Sequence, residues 1–90
     1  DLRNAELNGA DLTGANLTLA DLQRAELNGA ELIGADLRKA KLQHAKLQDA
    51  NLTRADLQSV NLYGVYLNGA ELIGAKLSGA NLQEAIFKRS

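Results

Sequence analysis

The sequence predicts an all-β fold, a right-handed quadrilateral parallel β-helix with four five-residue units per coil and about four and a half coils. Three regularities predict it. Leu stands at every fifth position from Leu2 to Leu82, and Phe87 takes the next position of that series. Ala, or Val in two units, lies two residues before each Leu after the first, and all eight glycines lie two residues after a Leu. Tandem repetition of this kind indicates a solenoid.

Each five-residue unit is predicted to be a three-residue strand followed by a corner. Positions are numbered here from the residue before Leu, as in residues 1–5, so Leu is second and Ala is fifth. Side chains alternate between the two faces of a strand, so Ala and Leu point inward and the first residue points outward. The five-residue spacing would spread Leu around an α-helix. Gly at the fourth position favours a type II turn, because that turn needs a positive φ there.

A longer period of twenty residues predicts four units per coil. Asn follows Leu only at Asn8, Asn28 and Asn68, and residues 27–35 recur unchanged at 67–75. Parallel crossovers are almost always right-handed, which predicts the direction of winding. No linker or insertion interrupts the repeat, so residues 1–90 are predicted to form one domain.

The units ADLTG, ANLTL, ADLQR, ADLRK, ANLTR, ADLQS and ANLQE resemble those of the pentapeptide-repeat proteins, and the resemblance covers the whole chain. It implies the same right-handed quadrilateral β-helix. It implies little about activity, because the family includes topoisomerase-inhibiting DNA mimics and developmental proteins of cyanobacteria. The sequence departs from the family pattern at Val60 and Val65, and in the outward residues Lys41, Lys46, Tyr66, Lys76 and Ile86.

Composition excludes several classes of function. The chain has no cysteine, so it forms no disulfide, no Cys-based zinc site and no thiol nucleophile. Ten basic and eleven acidic residues give a net charge of -1, which argues against a generic nucleic-acid or membrane-surface binder. No apolar run is long enough for a membrane span or a signal peptide, so we expect a soluble chain whose compartment the sequence does not assign.

No catalytic, cofactor-binding or metal-binding residue is predicted, so the chain is not expected to be an enzyme. His44 is the only histidine, and one imidazole makes neither a catalytic triad nor a His-rich metal site. It is expected at a solvated corner, with Arg24 one coil before it and Gly64 one coil after it. Stacked acids such as Asp11 and Glu31 follow from the repeat and lie on a convex wall without a cleft.

Charge is distributed unevenly. Residues 1–36 hold seven acidic and two basic side chains, whereas residues 37–54 hold five basic and one acidic. The basic segment either neutralises neighbouring coils, pairing Asp21 with Lys41 and Glu26 with Lys46, or docks an acidic partner. Exposed Tyr is enriched at interfaces. The residues of this predicted partner surface are Arg38, Lys39, Lys41, Lys46, Tyr63 and Tyr66.

The leading functional interpretation is a non-enzymatic structural or interaction module that presents convex polar walls to a protein partner, without direct nucleic-acid or membrane binding. The alternative is a DNA-mimicking inhibitor of a type II topoisomerase such as gyrase. A terminal coil exposes strand backbone and apolar core, which favours end-to-end dimers or stacks. Ile86 and Phe87 are the predicted contact residues, with Phe87 pointing inward to close the core; in the alternative, Phe87 only plugs a monomer.

Overall fold

Outward first-position residues pair with the residues twenty positions later in parallel β-bridges. In the computed structural model, which describes residues 1–88, thirteen such bridges run from Glu6↔Glu26 to Tyr66↔Ile86. Residues 1–88 contain no helix, and therefore none that could cross a membrane. A stretch of twenty residues is called a coil below. Columns 1 to 4 are the stacked units that begin at residues 1, 6, 11 and 16 and recur every twenty residues.

The β structure of each unit is narrower than the predicted three-residue strand. Within the described chain, only the first residue of a unit forms a bridge, and no longer strand occurs. Hydrogen bonds flank that residue: the Leu27 N–H donates to the Lys46 carbonyl at 2.7 Å, and the Lys46 N–H donates to the Ala25 carbonyl at 2.9 Å. The prediction was wrong in extent because the turn begins directly after Leu.

Every fourth-position residue from Asn4 to Glu84 has a positive φ, between 58° and 73°. Eight are the glycines, but nine are not, among them Leu19 and His44. The turn is closed by a hydrogen bond from the fifth residue to the second, as from the Ala45 N–H to the Leu42 carbonyl at 3.0 Å. This geometry agrees with the type II turn predicted from the glycines.

Asp and Asn at the first position fasten the turn that follows them. The Asp36 carboxylate accepts the Arg38 N–H at 3.2 Å, and the Asn61 side-chain oxygen accepts the Tyr63 N–H at 3.0 Å. Such short side chains reach the backbone two residues further on, whereas Glu is one carbon too long for this Asx turn and Lys has no atom that accepts a hydrogen bond. This bond explains the preference for Asp and Asn at the outward position.

Asn at the third position takes over this role in column 2. The side-chain oxygen of Asn8 accepts the Asn28 N–H at 2.9 Å, and that of Asn28 accepts the Gln48 N–H at 3.0 Å. These bonds run from coil to coil rather than within one turn. They explain how column 2 can carry Glu26 and Lys46 as outward residues.

The core is a stack of Leu and Ala that is fully closed only in the middle coils. From Leu22 to Leu67 every Leu is at most 4% exposed. Towards the ends exposure rises, to 37% for Leu2 and 52% for Phe87. Phe87, expected to point inward and close the core, lies at the exposed end of the described stack, and its closing role stays a prediction.

Candidate interaction surface

The six residues of the predicted partner surface are spread around two corners of the solenoid. Tyr66 and Lys46 share a bridge in column 2, and Lys41 is bridged to Asn61 in column 1. Other members lie at corners: Tyr63 follows column 1, whereas Arg38 and Lys39 follow column 4. The surface thus spans columns 1 and 2 and the corners that follow columns 1 and 4.

Arg38 is engaged within the solenoid. Its guanidinium donates to both carboxylate oxygens of Asp36, at 2.9 and 2.7 Å, and lies 3.8 Å from an oxygen of Asp56 in the next coil. Hydrogen bonding from Arg38 lowers the pKa of Asp36, and the same bond raises the pKa of Arg38. Because two carboxylates surround it, Arg38 attracts an acidic partner less strongly than an unpaired cation would.

The predicted neutralising pairs are neighbours without direct contact. Bridges join Asp21 to Lys41 and Glu26 to Lys46, yet in the described range neither pair forms an ion pair. Burial acts to raise the pKa of Asp21, but the hydrogen bonds from Gln23 and the charges of Arg3 and Lys41 outweigh it and lower that pKa. Lys41 therefore acts on Asp21 only through space.

A shallow, open groove of about 510 Å³ lies at the corner between columns 1 and 2. One side is the column 2 ladder, in which bridges stack Glu26, Lys46 and Tyr66 in three successive coils. The other side is formed by Arg24 and His44, the fourth-position residues of column 1 in two successive coils. The groove contains two residues of the predicted surface and three that were not assigned to it.

His44 is exposed, as predicted for a corner residue, but its ring is held in place. The ring meets Tyr63 edge to face, with 5.5 Å between centroids and 85° between planes. It also covers Gly64, where an added Cβ would lie 2.6 Å from Nδ1 of His44. Sequence reasoning placed Gly64 one coil beyond His44 but missed that the absent side chain makes room for the imidazole.

Arg24 and Lys46 are the groove's cations, and within residues 1–88 neither forms an ion pair. Glu26 is the groove's one acid, and its carboxylate accepts a hydrogen bond from Nδ2 of Asn8 at 3.1 Å. The groove thus presents two unpaired cations beside the rings of His44 and Tyr66.

The outward carboxylates are the other candidates for cation binding or acid–base chemistry. In the described part of the chain, no three His, Asp or Glu side chains are grouped so that they could hold a metal ion. Acids such as Asp11 are instead tied to the turn: a hydrogen bond from the Thr13 hydroxyl, at 2.7 Å, lowers the pKa of Asp11. Outward aspartates such as Asp11 therefore have a structural role in the corners.

Solved structures share this fold. The crystal structure of HetL, a pentapeptide repeat protein involved in heterocyst differentiation regulation from the cyanobacterium Nostoc sp. strain PCC 7120, matches with a TM-score of 0.90 and 41% identity over 91% of this chain. Another pentapeptide repeat protein of Nostoc PCC 7120 matches with a TM-score of 0.62 and 39% identity over 94%. One from the Arabidopsis thaliana thylakoid lumen matches with 0.55 and 31% over 94%. The chain spans 38%, 66% and 63% of these proteins, respectively.

Sequence comparison gives the same assignment. The family model described as Pentapeptide repeats (8 copies) matches residues 1–31, 15–54, 35–71 and 50–89. No curated protein matches the chain significantly. Because the family matches cover nearly every residue and the solved neighbours carry the same repeat, the chain belongs to the pentapeptide repeat family, whose members are β-helical solenoids.

Proposed function

We propose that this chain is a non-enzymatic interaction module, a β-solenoid that presents its outer surface to an acidic protein partner. The observation that carries the proposal is that one cation of the predicted surface is paired with carboxylates and others are not. Arg38 is held between Asp36 and Asp56, whereas Lys41 and Lys46 are exposed on the columns and form no ion pair within residues 1–88. Tyr is enriched at protein interfaces, and unpaired lysines beside such rings give charge complementarity to an acidic partner.

The winding, the cross-section, the domain bounds and the end contact of the solenoid are part of the same proposal. The solenoid winds right-handed with a quadrilateral cross-section, its four and a half coils form a single domain of residues 1–90, and its ends can associate through Ile86 and Phe87. The twenty-residue bridge register supports four units per coil.

Similarity to HetL supports a regulatory role. HetL is involved in heterocyst differentiation regulation, and the matched region is 41% identical to this chain. Because the chain spans 38% of HetL, the regulatory role is carried over as a proposal. A surface lined by charged and aromatic side chains would exert such a role by contact with another protein, and neither a nucleic-acid nor a membrane partner is proposed.

Inhibition of a type II topoisomerase by DNA mimicry is the second candidate. Stacked acids such as Glu6 and Glu26 favour it, since DNA presents a regular series of negative charges. Columns 1, 2 and 4 are interrupted by the cations Lys41, Lys46 and Lys76, which weakens the resemblance. A gyrase supercoiling assay separates the two functions: the interaction module leaves supercoiling unchanged, and inhibition at micromolar concentration would favour the mimic.

Charge reversal tests the interaction module itself. Lys41→Glu with Lys46→Glu should abolish crosslinking of the native partner, identified by mass spectrometry against a Lys76→Glu control. Lys76 is also an exposed first-position lysine, but it lies in column 4. Thermal stability should stay almost unchanged in both variants, because exposed charges contribute about 1 kcal/mol or less. A loss of several kcal/mol in the double variant, with crosslinking retained after correction for folding, would instead favour coil-to-coil neutralisation.

A further inference from the structure

We propose that the groove formed by Arg24, Glu26, His44, Lys46 and Tyr66 is the docking site for a short acidic segment of the partner protein. This inference rests on the proposed interaction function and gives it a location. It moves the centre of the site from the basic segment 37–54 to the corner between columns 1 and 2. Arg24, Glu26 and His44, which the sequence pattern left out, become part of the site.

Charge selects an acidic ligand. Arg24 and Lys46 line the groove from opposite sides, and no described carboxylate is in contact with either. The carboxylate of Glu26, the groove's one acid, accepts a hydrogen bond from the side chain of Asn8. A carboxylate entering the groove would gain two charge-assisted hydrogen bonds, which are stronger than neutral ones. A cationic segment would meet two like charges.

The rings add apolar contact at a fixed geometry. His44 is held by Tyr63 at its edge and by Gly64 beneath it, and Tyr66 is half-buried in the bridge ladder. Side chains that are already ordered lose less entropy on binding. The backbone of His44 is fixed as well, since it sits in the left-handed region at φ 61° within a hydrogen-bonded corner.

The shape of the groove favours a peptide over a small molecule. Ligand pockets usually bury most of a small ligand, whereas this groove is open and lined by exposed or half-exposed side chains. Its column 2 side extends over three coils, about 10 Å at ordinary strand spacing. That length suits two or three extended residues of a peptide, with acidic side chains placed towards Arg24 and Lys46.

A defined probe tests the site. A fluorescein-labelled peptide of ten residues rich in glutamate is titrated into the uniformly ¹⁵N-labelled protein, and binding is followed by anisotropy and by amide shifts. The amides of residues 24, 26, 44, 46 and 66 should shift first. Arg24→Gln and Lys46→Gln should each weaken binding about two- to fivefold. Lys39→Gln and Lys76→Gln, at exposed cations outside the groove, should change it less than twofold.

Further probes separate the outcomes. A peptide with glutamine in place of glutamate should not bind, and raised salt should weaken the glutamate peptide. Equal loss in the Lys39 or Lys76 variants, or shifts spread over all columns, would overturn the groove while leaving the broader interaction surface intact. Stronger shifts with inorganic phosphate than with the peptide would also overturn it, in favour of a small anion. Unchanged spectra with 1 mM peptide would overturn the groove, and the crosslinking experiment would still decide the proposed function.

Discussion

The imidazole of His44 lies over the backbone of Gly64 in the next coil, where a Cβ would approach within 2.6 Å of Nδ1 and 2.7 Å of Cε1. Similar relationships recur in the same direction along the solenoid, because Arg54 covers Gly74 and the side chain of Ser59 lies next to Gly79. Corner side chains thus lean towards the following coil. Glycine at positions 64, 74 and 79 therefore serves both the positive φ and the space for a neighbour.

Gly64→Ala should accordingly destabilise the fold more than Gly29→Ala. Both positions have a positive φ, but an added Cβ at Gly29 meets no atom within 4 Å. Gly29→Ala is expected to cost about 1–2 kcal/mol for the left-handed backbone alone. Gly64→Ala should cost about 1–3 kcal/mol more, as overpacking against the His44 ring. Urea unfolding monitored by circular dichroism measures both.

Removal of the ring provides the control. In the His44→Ala background, Gly64→Ala should cost no more than Gly29→Ala does in the native chain. Equal costs of the two glycine substitutions in the native background would show that the His44 ring moves aside freely, and the idea of a ring held in place would fail.

Leu19→Gly should stabilise the protein. Leu19 is 72% exposed and holds a φ of 63°, so its side chain contributes little packing while the backbone is strained. Glycine relieves that strain but loses more backbone entropy on folding, so the net gain in the free energy of unfolding is about 0.5–1 kcal/mol. Leu19→Ala keeps the Cβ and should be near neutral. A melting temperature raised equally by both substitutions would point to the loss of an exposed apolar side chain instead.

Particular residues show what the sequence could and could not predict. The fixed spacing of Leu2 to Leu82 and the recurrence of residues 27–35 were enough to predict the solenoid and its twenty-residue register, since only one geometry buries every fifth residue. The strand length was overestimated because the pattern does not reveal where the turn begins. Engagement of Arg38 was missed, although Asp36 before it and Asp56 one coil later could have indicated it.

The groove was harder to predict, because its residues occupy different positions within the unit. Arg24 and His44 are fourth-position residues, whereas Glu26, Lys46 and Tyr66 are first-position residues of the following column. A comparison of equivalent positions within the unit therefore separates these residues. They come together only across a corner, where the fourth residue of one unit lies beside the first residue of the next in successive coils.

The hydrogen bonds between Arg38 and Asp36 predict that the free energy of unfolding depends on pH. The pKa of Asp36 is lowered in the folded protein, chiefly by the hydrogen bond from Arg38. A carboxyl whose pKa is lower when folded stabilises the fold above its unfolded pKa of about 4 and loses that contribution as pH falls through the folded value. Arg38→Gln should therefore raise the pKa of Asp36 and reduce the stability lost between pH 7 and pH 3.

Carbon-detected NMR of the Asp36 carboxyl measures this pKa directly. Lys39→Gln serves as the control. It removes an exposed cation that directly follows Arg38 and forms no ion pair within the described chain. An Asp36 titration that moves equally in both variants would show that general charge, rather than the Arg38 contact, lowers its pKa.

Burial along the stack predicts a gradient in the cost of core substitutions. Leu42 is 1% exposed and Leu2 is 37% exposed. Leu42→Ala should cost about 2–5 kcal/mol, as for other buried leucines, and Leu42→Asp should prevent folding, because a carboxylate would be buried without a partner. Leu2→Ala and Leu2→Asp should be much milder. Similar unfolding midpoints for the two Ala variants would contradict the closed centre and open ends of this core.

The two ends of the described solenoid are complementary in hydrogen bonding. Between coils, the Leu N–H donates to a carbonyl nineteen residues later, as from Leu22 to Lys41 at 2.8 Å. Within residues 1–88 the N–H groups of Leu72 and Leu77 donate to no backbone carbonyl, so the last described coil offers free donors. The carbonyls of Glu6 and Asp11 accept no described backbone N–H, so the first described coil offers free acceptors.

We therefore expect the 90-residue chain to associate head to tail, with the last coil of one copy on the first coil of the next. Apolar surface is available at both ends, since Ile86 and Phe87 are 40% and 52% exposed and Leu2 is 37% exposed; Arg89, expected at the rim of this contact, lies outside the described residues. Sedimentation equilibrium should show a mass that rises with concentration, and Ile86→Lys with Phe87→Ala should abolish the rise. Ile33→Lys changes a half-exposed isoleucine at a corner of an inner coil, away from both ends, so it should leave association intact. A monomer mass at every concentration, or equal loss in the Ile33 control, would refute the end contact, because only an end-to-end arrangement makes Ile86 and Phe87 matter more than an apolar side chain in an inner coil.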